Sequence, residues 1–172
     1  MDAVRADAAA RPGLPVVAMA HAFVTGGVGS ESERDISVGG VSAVPPTVFA
    51  GADYAALGHL HGAQQVAPGV RYSGSPVAMS FSEVNHRKVS LLVDLDGRSV
   101  SVESVEAPVE RPLAVLRGTL EEVLADPRHR AAESAWCQVT LTDSVRPLGA
   151  MDQVRRRFPH TLELRFDPQG LA

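Results

Sequence analysis

Two short apolar runs constrain this chain more than any other feature, because each ends against histidine. The first, Leu14 to Ala20, delivers His21; the second, Tyr54 to Leu57, leads into Gly58-His59-Leu60-His61-Gly62. Runs this short and continuously apolar, with Gly and Pro before the first, read as buried strands. Neither is long enough to span a bilayer. In layered α/β folds, loops at strand ends present side chains on a rigid base, so the histidines stand where ligands gather. Imidazole is the commonest protein metal ligand. If His59 and His61 continue a strand, positions i and i+2 share a face and both rings reach one small site. Gly58 and Gly62 suit a sharp turn beside it.

The surrounding residues place this pair in a wider pattern. The run DYAALGHLHGAQ, from Asp53 to Gln64, resembles the last metal-binding motif (GHxH) of the calcineurin-like metallophosphoesterases. It is more closely similar to that of the SbcD-type nuclease subunits, which partner the ATPase SbcC. VVAMAHAFVTGG (Val16 to Gly27) resembles the preceding family motif, a buried strand ending in one metal-binding histidine. SESERDISVGG (Ser30 to Gly40) and YSGSPVAMSFSE (Tyr72 to Glu83) resemble the SbcD stretches that follow these two. The matches run in the family's order and cover most of the chain from Val16 onward.

Around these motifs the chain reads as a helix over Met1 to Arg11, stopped by Pro12 and Gly13, and a Gly- and Ser-rich loop over Ala22 to Pro46. That loop holds a short strand candidate at Ile36 to Val38. Its acidic residues Glu31, Glu33 and Asp35 read as solvated. A third core strand is expected at Val70 to Ser73. Val89, Leu91, Val93 and Leu95 alternate with Lys88, Ser90, Leu92 and Asp94, and Asp96-Gly97 suits a two-residue type I′ hairpin turn into Val100 and Val102. The hairpin is expected to extend the first sheet.

Ala107 to Pro112 reads as a linker, which divides the chain into residues 1–107 and 108–172. Beyond it, Leu113 to Arg117 suits a strand, and Thr119 with Glu122 forms a capping box for a helix carrying Leu120, Val123 and Leu124. Trp136 to Thr142 alternates with Cys137, Val139 and Leu141 on one face. Leu148, Met151, Val154 and Phe158 fall at helical spacing, and Leu162, Leu164 and Phe166 share a strand face. Trp136 and Phe158 are expected in the core. The order is βαβαβ, similar to the capping domain that follows the SbcD nuclease core. The fold class is therefore α/β (α+β): the second half of a metallophosphoesterase β-sandwich core, then a small capping unit. Arg155, Arg156, Arg157 and Arg165 read as a solvated basic face, with a phosphate-tracking patch as the other reading.

The resemblance implies two divalent ions, manganese in SbcD, with His21 and His59 on one and His61 on the other. Neutral imidazoles bring no negative charge to offset the repulsion between such ions. The family supplies carboxylates from earlier motifs, Asp-x-His, Gly-Asp and Gly-Asn-His-Asp, and none of these occurs in this sequence. No catalytic acid/base residue is assigned. The expectation is a chain that lacks the first half of the nuclease core, is inactive alone, and exposes the apolar edge where those strands would pair. Its implied partners are an SbcC-like ATPase, DNA, the N-terminal nuclease half, and a second copy, since the family is dimeric. Other readings are a fragment of another phosphodiesterase, or a non-catalytic scaffold for SbcC or DNA.

A net charge of -4 and a pI of about 5.8 do not mark a general nucleic-acid binder. The single cysteine, Cys137, excludes an internal disulfide and reads as a buried structural thiol in a cytoplasmic protein. No membrane association is expected. His86, His129 and His160 read as solvated.

Overall fold

The computed structural model describes residues 2–34, 36 and 43–168, in two compact units, Met1–Pro108 and Val109–Ala172. Asp35 and most of the Ile36 to Val38 strand candidate lie outside the described residues. The chain is mixed α and β, with several sheets and few helices. Among the described residues no helix is long and apolar enough to cross a membrane.

The first unit opens with helix α1 (Asp2–Ala10), which Pro12 and Gly13 end. Strands β1 (Val17–His21), β2 (Tyr54–Gly58), β3 (Gln64–Ala67) and β4 (Val70–Tyr72) form one sheet in the order β1-β2-β4-β3. β1, β2 and β4 are parallel, and β3 is antiparallel to β4. β3 has no signal in the sequence, since two of its four residues are glutamines. Asp53 sets the register where β1 and β2 begin: its carboxylate accepts from the Val16 N–H at 2.8 Å, and its own N–H donates to the Val16 carbonyl at 2.8 Å. Val24, Phe49, Ala55, Leu57, Leu60, Val70 and Tyr72 make the core.

β1 departs from the fully buried strand expected. It pairs with β2 alone among the described residues, and its alternation sends Val17, Met19 and His21 to an open side, leaving Met19 85% exposed. Only Ala18 and Ala20 pack against the core.

The hairpin forms as strands β5 (Val89–Asp96) and β6 (Ser99–Glu106), paired along their full length. It makes a separate two-stranded sheet and does not extend the first one. Asp96 pairs with Ser99, so the connecting residues are Gly97-Arg98, one position later than expected. Gly97 has φ +57° and Arg98 has no positive φ, which excludes a I′ turn and fits the II′ class with Gly first.

In the second unit, β7 (Leu113–Gly118), β8 (Trp136–Leu141) and β9 (Thr161–Phe166) form a parallel sheet in sequence order. α2 (Leu120–Ala125) and α3 (Ala150–Arg157) connect them and contact each other. The capping box is present: Thr119 Oγ1 accepts from the Glu122 N–H, and the Glu122 carboxylate accepts from the Thr119 N–H. Cys137, Val139 and Leu141 are fully buried with Val123, Val154 and Phe158. Burying each aliphatic or aromatic side chain there contributes about 1.5–3 kcal/mol. Burial pushes the Cys137 thiol up to about 11, so it is inert.

Three apolar residues fall outside the positions their periodicity predicts. Leu148 precedes α3 and is 92% exposed, because the helix starts only after Gly149, at φ +59°. A bulge sets Cys137 against Thr161 but Gln138 against Glu163, so Leu162 is the extra residue and turns outward. Trp136 begins β8 on the face opposite Cys137 and is partly exposed. The arginines are not a uniformly solvated face. Arg157 donates to the carbonyls of Val123, Leu124 and Asp126, closing the end of α2, and lies over the Phe158 ring. Arg155 donates to the Thr161 carbonyl, and Arg165 pairs with Glu163.

Candidate metal centre

β1 and β2 end side by side, and that fixes two of the three histidines. His21 pairs in register with Gly58, and the Ala22 N–H donates to the Gly58 carbonyl at 3.2 Å. A Cβ on Gly58 would lie 3.1 Å from His21 Nδ1, so glycine leaves the space that the ring occupies. The His59 ring stands edge-on to His21 with centroids 5.3 Å apart, and edge-on to Phe23 at 6.4 Å. The loop after His21 is held by buried Tyr72, whose hydroxyl donates to the Ala22 carbonyl at 2.6 Å and accepts from the Val24 N–H at 2.8 Å.

The strand stops at Gly58, so alternation does not govern the rest of GHLH. His59 adopts φ +114°, a conformation that costs a residue with a side chain of order 1–3 kcal/mol. Leu60 turns into the core, and His61 faces a different set of partners from His59. The two rings do not share one strand face.

His61 is held at both backbone and ring. Its N–H donates to Glu33 Oε1 at 2.8 Å, and its carbonyl accepts from the Ser75 N–H and from Lys88 Nζ, both at 3.1 Å. Its Nδ1 lies 2.8 Å from Glu83 Oε1 and 2.9 Å from Ser32 Oγ. Glu83 is fully buried, pairs with Lys88 Nζ at 2.5 Å, and also accepts from Ser32 Oγ and the Met79 N–H. Burial pushes the Glu83 carboxyl up, but hydrogen bonds from Lys88, Ser32, His61 and Met79 outweigh it and bring it to about 2.

Glu33 also differs from the solvated residue expected. Burial raises its carboxyl, and hydrogen bonds from the His61 N–H and from Ser30 more than reverse that, holding it below the ordinary range. His59 is lowered by desolvation first and by the neighbouring His21 second, with Glu33 opposing. It is therefore neutral at pH 7, with a lone pair to offer. His86 is not simply solvated, since it lies 3.9 Å from Glu83 and 3.5 Å from Lys88 Nζ. His129 packs on Phe158, and the His160 carbonyl accepts from the Cys137 N–H.

The donor set fits a divalent transition metal in kind and falls short in number. His21 and His59 form a pair, but among the described residues no group of three or more His, Cys, Asp or Glu side chains is arranged to hold an ion. Imidazole suits several transition metals, whereas manganese favours carboxylate and water oxygens. The buried carboxylate of Glu83 is committed to Lys88 and His61. The sequence assigns no role to Glu83, Lys88 or Ser32, although Ser32 lies in the run SESERDISVGG, Glu83 ends YSGSPVAMSFSE, and Lys88 falls on the polar phase of the hairpin.

Comparison with known proteins adds three observations. Residues 109–171 match the family model SbcD_C, described as the Type 5 capsule protein repressor C-terminal domain. The SbcD subunit of nuclease SbcCD from Escherichia coli (strain K12) is 42% identical over 115 residues, 65% of this chain and 29% of that protein. The proteins of the same name from Rhodobacter capsulatus and Bacillus subtilis are 45% identical over 121 residues and 32% identical over 165, the latter covering 90% of this chain. The chain spans 29–42% of the length of these relatives.

Proposed function

We propose, from the premise that this chain is an SbcD-like C-terminal portion, that it serves a metal-dependent DNA exonuclease and endonuclease. In this reading residues 1–107 complete a nuclease core and residues 108–172 form its capping domain. The enzyme hydrolyses phosphodiester bonds at DNA ends and hairpins, in recombination, repair and replication, with an SbcC-like ATPase in the cytoplasm. The observation that supports the metal role best is the pairing of His21 and His59 rings at the ends of adjacent parallel strands, 5.3 Å apart.

Here His21 and His59 would bind one divalent ion, Mn²⁺, and His61 the other. Ions held there would supply an activated water and positive charge opposite a breaking phosphodiester. What the residues themselves do is more limited: His21 and His59 present imidazole nitrogens where β1 and β2 end, and His61 presents its ring from the turn that follows. Three imidazoles contribute no negative charge to keep two cations together, so the chain alone does not cleave. Oxygen donors would come from a nuclease portion such as the longer relatives have room to carry. The shortage of donors also favours a second reading, a scaffold that binds the ATPase or DNA without chemistry.

The test is a cleavage assay on linear and hairpin DNA with Mn²⁺, using the chain purified free of contaminating nuclease. No cleavage is expected from the chain alone. Cleavage is expected when it is joined to an SbcD N-terminal portion, and should be lost with His59→Ala. Activity of the isolated chain would overturn the incomplete-site reading, and inactivity of the joined protein would favour the scaffold.

A further inference from the structure

We infer that Glu83 is a positioning residue for His61, holding the proton on Nδ1 and so leaving Nε2 as the ring's donor atom. The inference rests on the metal reading above only for what Nε2 is used for. The geometry stands apart from it.

Glu83 and Lys88 are both buried and lie 2.5 Å apart. Burying an ion pair costs several kcal/mol per ion before attraction offsets it, so the pair is weak evidence for stability and calls for another role. Both members converge on one residue. Glu83 Oε1 meets the His61 ring at Nδ1, and Lys88 Nζ meets the His61 carbonyl. With Glu33 on the backbone N–H, His61 is held at its N–H, its carbonyl and its Nδ1, and among the described residues no hydrogen bond falls on Nε2. An ionised carboxylate has acceptors only, so its partner nitrogen must carry the proton. Ser32 Oγ donates to the same carboxylate, which leaves it an acceptor toward Nδ1–H. Carboxylates that fix the tautomer of a metal-ligating histidine in this way typically change metal affinity ten- to a hundredfold when removed.

The tautomer can be read directly from the chain with ¹⁵N-labelled imidazoles, His61 being assigned by comparison with His61→Asn. Read at the alkaline end of a pH series, where the ring carries a single proton, the wild type should show that proton on Nδ1 and a bare Nε2; the opposite tautomer would overturn the proposal, whatever any variant does. In the double variant Glu83→Met/Lys88→Met, which removes both charges together, Ser32 is free to donate to Nδ1 and the proton should move to Nε2. A folded double variant with an unchanged tautomer would count against Glu83. Ser32→Ala should leave the wild-type tautomer in place, and a switch there would assign the role to Ser32 instead.

Mn²⁺ alone then serves as the probe of use. Paramagnetic broadening of His61 should need ten- to a hundredfold more Mn²⁺ in the double variant. No broadening in the wild type, with the Nδ1–H tautomer intact, would retire the metal reading and leave the positioning role of Glu83 supported.

Discussion

Replacing Lys88 by Met keeps the length of the side chain and removes one charge from the most buried ionic site in the first unit. Lys88 Nζ bonds Glu83 Oε2 at 2.5 Å, Ser75 Oγ at 2.9 Å and the His61 carbonyl at 3.1 Å. At an effective dielectric near 20, the gross attraction of the pair is about 7 kcal/mol, most of it cancelled by the desolvation of both ions. Removing one partner does not simply forfeit the small net remainder. It leaves the Glu83 side chain, with no exposed surface, as an uncompensated buried charge. The expected loss is about 3–5 kcal/mol. Glu83→Gln/Lys88→Met, which discharges both sites, should recover all but about 1–2 kcal/mol, and the cycle isolates the coupling. Trp136 lies in the other unit, so its fluorescence does not report this loss. Hydrogen exchange of the β2 and β4 amides, followed through a urea series, does. A Lys88→Met loss below about 1 kcal/mol, or a double variant no more stable than the single one, would refute the reasoning.

The same carboxylate gives the first unit a predictable acid response. Glu83 sits at about 2 when folded against an ordinary 4.5, so its contribution is fully present above 4.5 and is lost as pH falls toward 2. The loss is about 3 kcal/mol and should appear as an acid shift in the exchange-measured stability of wild type that is much reduced in the double variant. Gly74→Ala puts a Cβ 2.7 Å from the His61 carbonyl at φ +83°, and should destabilise this region by about 1–2 kcal/mol or more, seen as faster exchange of the Ser75 N–H. In the second unit, Phe158→Ala should cost about 3–5 kcal/mol by urea unfolding followed at Trp136, because the ring is wholly buried against α3 and β8. A loss under about 1 kcal/mol would show that the cavity collapses freely.

The elements that were legible in the sequence share one property: their signal is local. Helix α1 stops at Pro12-Gly13, the capping box at Thr119 and Glu122 forms as spaced, and Cys137, Val139 and Leu141 alternate into the core. The pattern fails where it cannot say which faces and edges are covered. Met19 alternates onto an uncovered face, Leu162 is displaced by a bulge, and the hairpin closes on itself without joining the larger sheet.

The site divides along the same line. The sequence by itself proposes His21, His59 and His61 as candidate ligands and predicts the strands that precede the first two, since apolar runs and glycines act through nearby residues. Only the tertiary structure showed that the His59 and His61 rings do not share a strand face, and only it supplied the partners of His61. Glu33, Glu83 and Lys88 lie 28, 22 and 27 residues from it along the chain, and each looks like an ordinary surface charge when read in order. Their meaning comes from burial, which makes an unpaired charge too costly to keep and forces these side chains onto one another and onto His61.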